Sequence, residues 1–180
     1  MSNAALIAAA QTLATRAHAG QQREDIGDPY IVHPTRVAAR LARRFPDDVA
    51  LTAAGWCHDV IEDCPQISID EVRVAIGDDA LAIVREVTNP SKQHPELPRA
   101  ERKAMDRAHI AAISRRARCL KLADRADNLR DGCACPDKAW LATYVRESRL
   151  LAEAVRGTDP ELEHDLQTAL STAAQAAGID

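Results

Sequence analysis

No segment of this chain alternates apolar and polar residues convincingly at period two, while nearly every segment reads as helix. That pattern argues against a sheet and commits the chain to helices packed on helices. Composition points the same way: 46% of the residues are hydrophobic, many of them alanine, and only 3% are aromatic. Alanine has the best helix propensity, and its small side chain lets helix axes approach closely. A chain of 180 residues suits one domain, which at that size buries about 70% of the surface exposed by its unfolded form. The expectation is a single all-α domain over residues 1–180, a bundle of about eight to ten helices without internal repeats.

Caps and breakers place those helices. The first is predicted from Asn3 to His18, with Ala5, Ile7, Ala8 and Leu13 available for a buried stripe, and it stops at Gly20. Residues 20–34 read as a loop, and Pro34 suits the first turn of a second helix carrying Val37, Ala38 and Leu41. Pro46-Asp47-Asp48 opens a third, whose apolar run VALTAAGWC leads up to His58. Ser68 and Glu71 have capping-box spacing and start a short helix ending at Gly77, followed by another from about Asp78 to Thr88. Residues 89–98, with three prolines and Lys92, read as a mobile loop. Four more helices are predicted over Arg99–Ile113, Arg115–Asp131, Pro136–Arg156 and Pro160–Ala177. Gly157 stops the third of these, and Asp159-Pro160 caps the last.

The net charge of −4 argues against a nucleic-acid binder. Only four of the 23 basic residues are lysine, and the planar fork of the arginines suits phosphate recognition, although most of them read as solvated helix faces. No apolar run approaches the ~20 residues of a membrane span, and the N-terminus lacks a signal pattern. Cys57, Cys64, Cys119, Cys133 and Cys135 are odd in number and lack a disulfide-framework spacing, which suits a reducing cytoplasm. Cys133 and Cys135, one residue apart and without a second pair, read as free thiols and not as a metal site. Nothing in the sequence selects an oligomeric state.

The chemistry lies in His33, His58-Asp59, Glu62-Asp63 and Asp124. Taken singly, each has a plainer explanation: a loop histidine, an Asp124–Arg125 ion pair, a solvated helix end. Together, beside apolar segments that would bury them, they are harder to explain as ordinary polar residues, because unpaired buried carboxylates are costly. Two imidazoles and two carboxylates, His33 from a loop before a helix and His58 and Asp59 from a helix end, could converge with Asp124 on one divalent ion. The mixed N/O set fits Mn²⁺ or Fe²⁺ better than a closed structural zinc site. Glu62 and Asp63, about one turn after His58, are placed to accept a proton from water activated by that ion. A phosphate ester or anhydride is the plausible electrophile, with Arg23 and Arg125 as candidates to offset charge and Asn128 to bond a sugar or phosphate oxygen.

At these residues the chain resembles the HD-domain hydrolases, and more narrowly the hydrolase domain of the RelA/SpoT homologues, the single-domain small alarmone hydrolases. The resemblance runs from about Ala17 to Arg156. It is carried by AHAGQQREDIGDPYIVHPTRVA, CHDVIEDC, EVTNPSK and KLADRADNLRD. It implies Mn²⁺-dependent removal of the 3′-pyrophosphate from guanosine tetra- and pentaphosphate. His33, His58, Asp59 and Asp124 would bind the metal, Glu62 and Asp63 would activate water, Arg23 would stack on the base and Asn128 would contact the nucleotide. Two positions depart from the family pattern: Glu24 stands where a lysine is usual, and Ser148 aligns with a tyrosine, with Tyr144 one turn earlier. They leave an adenine alarmone or NADPH open as substrate. A catalytically silent nucleotide sensor is the alternative of another class, and the Glu62-Asp63 pair speaks against it.

Overall fold

The computed structural model describes residues 2–179. Among them are nine α-helices and one 3-10 turn, within the expected eight to ten helices, and no named strand. The helices are α1 (Asn3–Ala17), α2 (Val32–Arg44), α3 (Val49–Cys57), α4 (Val60–Asp63), α5 (Ile69–Val87), α6 (Arg99–Ala112), α7 (Arg115–Gly132), α8 (Lys138–Ala154) and α9 (Pro160–Ala177). They form two compact units: Met1–Gln22 with Asp28–Thr88, and Arg23–Gly27 with Asn89–Asp180.

In the first unit α3 is the central helix and packs against α1, α2 and α5. Every residue from Leu51 to Cys57 is buried, and among them only Thr52 is polar, so this helix is surrounded by packing. Asp48 starts it by accepting the Leu51 N–H at 3.0 Å. Gly55 lets α2 approach: a Cβ there would lie 3.0 Å from Leu41 Cδ1 and 3.1 Å from the backbone Cα of Ala38. Leu41 can rotate, but the Ala38 backbone can move only by shifting α2. Gly55→Ala is therefore expected to destabilise the chain by about 1–3 kcal/mol despite alanine's better helix propensity. A thermal melt reads this as about 2–4 °C for each kcal/mol. A melting point equal to the wild type would show that the α2–α3 spacing is not set by this residue.

The capping box at Ser68 and Glu71 forms as expected. The break at Gly77 is present too: its φ of 75° interrupts the α5 segment, which otherwise continues to Val87. Two expectations are corrected. The second helix begins at Val32, two residues before Pro34, because Val32 and His33 donate their N–H groups to Pro29 O and Tyr30 O at 3.1 and 3.0 Å. His33 thus belongs to the first turn of α2 and not to a preceding loop. Residues 89–98 are not an irregular loop throughout: Pro90–Gln93 forms a 3-10 turn. Buried Ser91 ties that turn to α6, donating from its N–H and Oγ to the two Asp106 oxygens at 3.2 and 2.9 Å.

In the second unit α7 packs on α9 and α8, and α8 packs on α9 and α6. Ser114 caps α7 and Asp159 caps α9, with Pro160 in its first turn. α7 is buried along most of its length, yet its buried residues include Lys121, Asp124, Asp127 and Asp131 beside Leu120, Leu122 and Leu129. Charged groups inside a packed helix oppose folding unless they are paired, and here Lys121 pairs with Asp124 and Asp131 with Arg23.

Candidate metal centre

The apolar α3 delivers His58 to the interior of the first unit, where its side chain is 3% exposed. At the helix end the His58 Nδ1–H donates to Gly55 O at 2.9 Å. That bond assigns a proton to Nδ1 and turns Nε2 toward His33 and Asp59, the ring orientation a metal ligand needs. His33, fully buried in the first turn of α2, brings its Nε2 to 3.1 Å from His58 Nε2. Asp59 Oδ2 lies 3.1 Å from His58 Nε2 and 3.6 Å from His33 Nε2. Adjacent residues converge here because the helix breaks between α3 and α4 at His58 and Asp59.

These three donor atoms fit a divalent cation. Ligands ~2.1 Å from an ion and at right angles to one another are ~3 Å apart. A single proton shared among the three atoms could bridge only one of these contacts, whereas an ion satisfies all of them. No residue in this trio is a cysteine, which favours a borderline or hard ion over a thiophilic one.

Glu62 and Asp63 lie on the short α4, immediately after Asp59, and both are half-buried. The Asp63 carbonyl accepts from Gln21 Nε2 at 3.3 Å, which anchors the end of α4 to the segment after α1. Tyr30 was not singled out from the sequence as a site residue. Its Oη–H donates to Asp59 Oδ2 at 2.7 Å. The available signal was its position three residues before His33.

In the second unit Asp124 is 5% exposed on α7. Its Oδ2 lies 3.0 Å from Lys121 Nζ, and its Oδ1 accepts from Asn128 Nδ2. Arg23 is held against the same helix, with Nε donating to Asp131 Oδ2 at 2.9 Å and Nη2 to Asn128 Oδ1 at 2.6 Å. Sequence reasoning did not identify Lys121 or Asp131, although Lys121 stands one turn before Asp124 on the same helix face. Arg125 lies over the Tyr144 ring at 4.8 Å and donates from Nη1 to Ser148 Oγ at 3.1 Å. Tyr144 stacks in turn on Trp140, with ring centroids 5.1 Å apart. Burial pushes the Tyr144 phenol above its usual range. Glu24 is exposed.

All five cysteines are free, as expected. Burial pushes the Cys57 thiol up to about 12, and it raises those of Cys133 and Cys135 as well, which disfavours thiolate chemistry at these positions. No helix among the described residues is long and apolar enough to cross a membrane.

Comparison with known proteins gives a consistent picture. Residues 10–149 match the family described as HD domain. A Xenopus tropicalis protein named guanosine-3′,5′-bis(diphosphate) 3′-pyrophosphohydrolase MESH1 is 35% identical, over 92% of this chain and 93% of its own. The Homo sapiens protein of the same name is 33% identical over the same shares. A solved structure described as a metazoan ortholog of SpoT that hydrolyses ppGpp superposes with a TM-score of 0.81. It is 30% identical and is matched over 93% of this chain and 94% of its own.

Proposed function

The chain belongs to the HD-domain family, and we propose that it is a metal-dependent phosphohydrolase acting on guanosine-3′,5′-bis(diphosphate). Water attacks the 3′-diphosphate, pyrophosphate leaves, and the 3′-hydroxyl is restored. The observation that carries this reading is the convergence of His33 Nε2, His58 Nε2 and Asp59 Oδ2 just ahead of the Glu62-Asp63 pair. The names of the relatives supply the substrate class.

In this proposal Asp124 joins His33, His58 and Asp59 as the fourth ligand, and the ion is Mn²⁺, with Fe²⁺ the alternative for such an N/O donor set. When bound, a divalent ion supplies positive charge for phosphate oxygens and makes water nucleophilic near neutral pH. The protein's own groups do the rest. Gly55 O holds the His58 ring in its ligating orientation. Glu62, with Asp63 beside it, accepts the proton lost by the attacking water. Asp131 and Asn128 pre-orient the Arg23 guanidinium, which then loses little freedom when a nucleotide binds. Arg125, held by Tyr144 and Ser148, offsets phosphate charge, and Asn128 bonds a sugar or phosphate oxygen. Both units serve one catalytic domain in this reading, since the family match runs through each of them. The five free cysteines suit work in a reducing cytoplasm.

Exposed Glu24, together with Ser148 bound to Arg125 where a tyrosine is usual, favours a second reading in which base selectivity is altered. The deciding experiment incubates the protein and Mn²⁺ with guanosine tetraphosphate, its adenine analogue, NADPH and deoxynucleotides, and identifies the products. Pyrophosphate release from the guanine alarmone, with NADPH and deoxynucleotides inert, is expected. Turnover of NADPH or of deoxynucleotides alone would replace the proposed substrate class.

A further inference from the structure

We propose that Tyr30 is a positioning residue for the metal centre, fixing which oxygen of Asp59 faces the two imidazoles; the inference rests on the metal-centre reading above. Tyr30 Oη donates at 2.7 Å to Asp59 Oδ2, the same oxygen that lies 3.1 Å from His58 Nε2. Asp59 occupies the N-cap position of α4, yet its side chain makes no capping bond there. The phenol supplies a constraint from outside that helix.

Tyr30 is itself fixed from three sides. Its ring stacks on His18 with centroids 4.6 Å apart and meets the edge of His33 at 6.0 Å. Its backbone N–H donates to Gln21 O at 3.0 Å. The His18 Nδ1–H donates to Gln21 Oε1 at 2.7 Å, and the Gln21 amide reaches the Asp63 carbonyl. The His18–Gln21 pair thus supports both acidic positions, Asp59 through the phenol and Asp63 through its backbone.

Groups that orient metal ligands are worth about 10–100-fold in metal affinity. The test titrates the full chain, stripped of metal by a chelator, with Mn²⁺ in a calorimeter. It compares wild type, Tyr30→Phe, Asp59→Asn and the double variant, and records the metal-free melting point of each. Phenylalanine keeps the ring and its stack on His18, so Tyr30→Phe should fold and melt near the wild type. The expected result is about tenfold or greater weakening of Mn²⁺ binding by Tyr30→Phe, and no further weakening when it is added to Asp59→Asn. Unchanged affinity, or equal weakening with and without the Asp59 carboxylate, overturns the positioning role. A wild-type chain that takes up no Mn²⁺ overturns instead the metal-centre reading on which it rests.

Discussion

His58→Ala and Asp124→Ala should each abolish Mn²⁺ binding and lower pyrophosphate release by about a thousandfold or more. The charge stabilisation and water activation lost with the ion are worth several kcal/mol of barrier, and each 1.36 kcal/mol is about a factor of ten. The two variants test different claims. His58 is one of three donors already together in the first unit, and its Nδ1–H is bonded to Gly55 O. Asp124 belongs to the second unit and is the proposed fourth ligand. Its replacement by alanine also removes the anion beside Lys121 Nζ, so some loss of stability is expected. Asp124→Asn, which preserves volume and an amide oxygen for Asn128, separates the two effects. Calorimetric Mn²⁺ titration below the melting point is the measurement. Wild-type affinity in Asp124→Ala would remove Asp124 from the ligand set while leaving the histidine pair in place.

Glu62→Gln should leave Mn²⁺ affinity close to wild type and lower turnover by about 10²–10⁴-fold, the usual contribution of a positioned general base. Glutamine matches the size of glutamate but cannot accept the proton from water. The split between intact binding and lost turnover is what distinguishes a proton acceptor from a ligand. Saturating Mn²⁺ with the guanine alarmone, and pyrophosphate measured over time, gives the rate. Turnover at the wild-type rate would transfer the role of base to Asp63, its half-buried neighbour on α4.

Much of the architecture was legible before any coordinates. Capping at Asp48, Ser68 and Asp159, the break at Gly77 and the stop near Gly157 all act between residues within about a turn of one another, so they leave short-range signatures. The largely apolar run of α3 pointed to a buried helix, and the HD and ED pairs following it pointed to metal chemistry. Less legible were the start of α2 and the order in residues 89–98. Both depend on backbone acceptors and an Asp106 carboxylate that no periodic pattern specifies. The buried charges of α7 were harder still, since composition alone would place Lys121 and Asp131 in water.

What the sequence determined by itself is therefore the all-α class and the order and caps of the helices, along with a set of candidate ligands for a cation, since these follow from local spacing and side-chain chemistry. Tertiary structure alone decided the rest: that His33 and His58 present their Nε2 atoms 3.1 Å apart, that Asp59 is reached by Tyr30, and that Arg23 is pinned by Asp131 and Asn128. Such arrangements join side chains tens of residues apart. Their geometry is set by how the helices pack, and no short-range pattern encodes it.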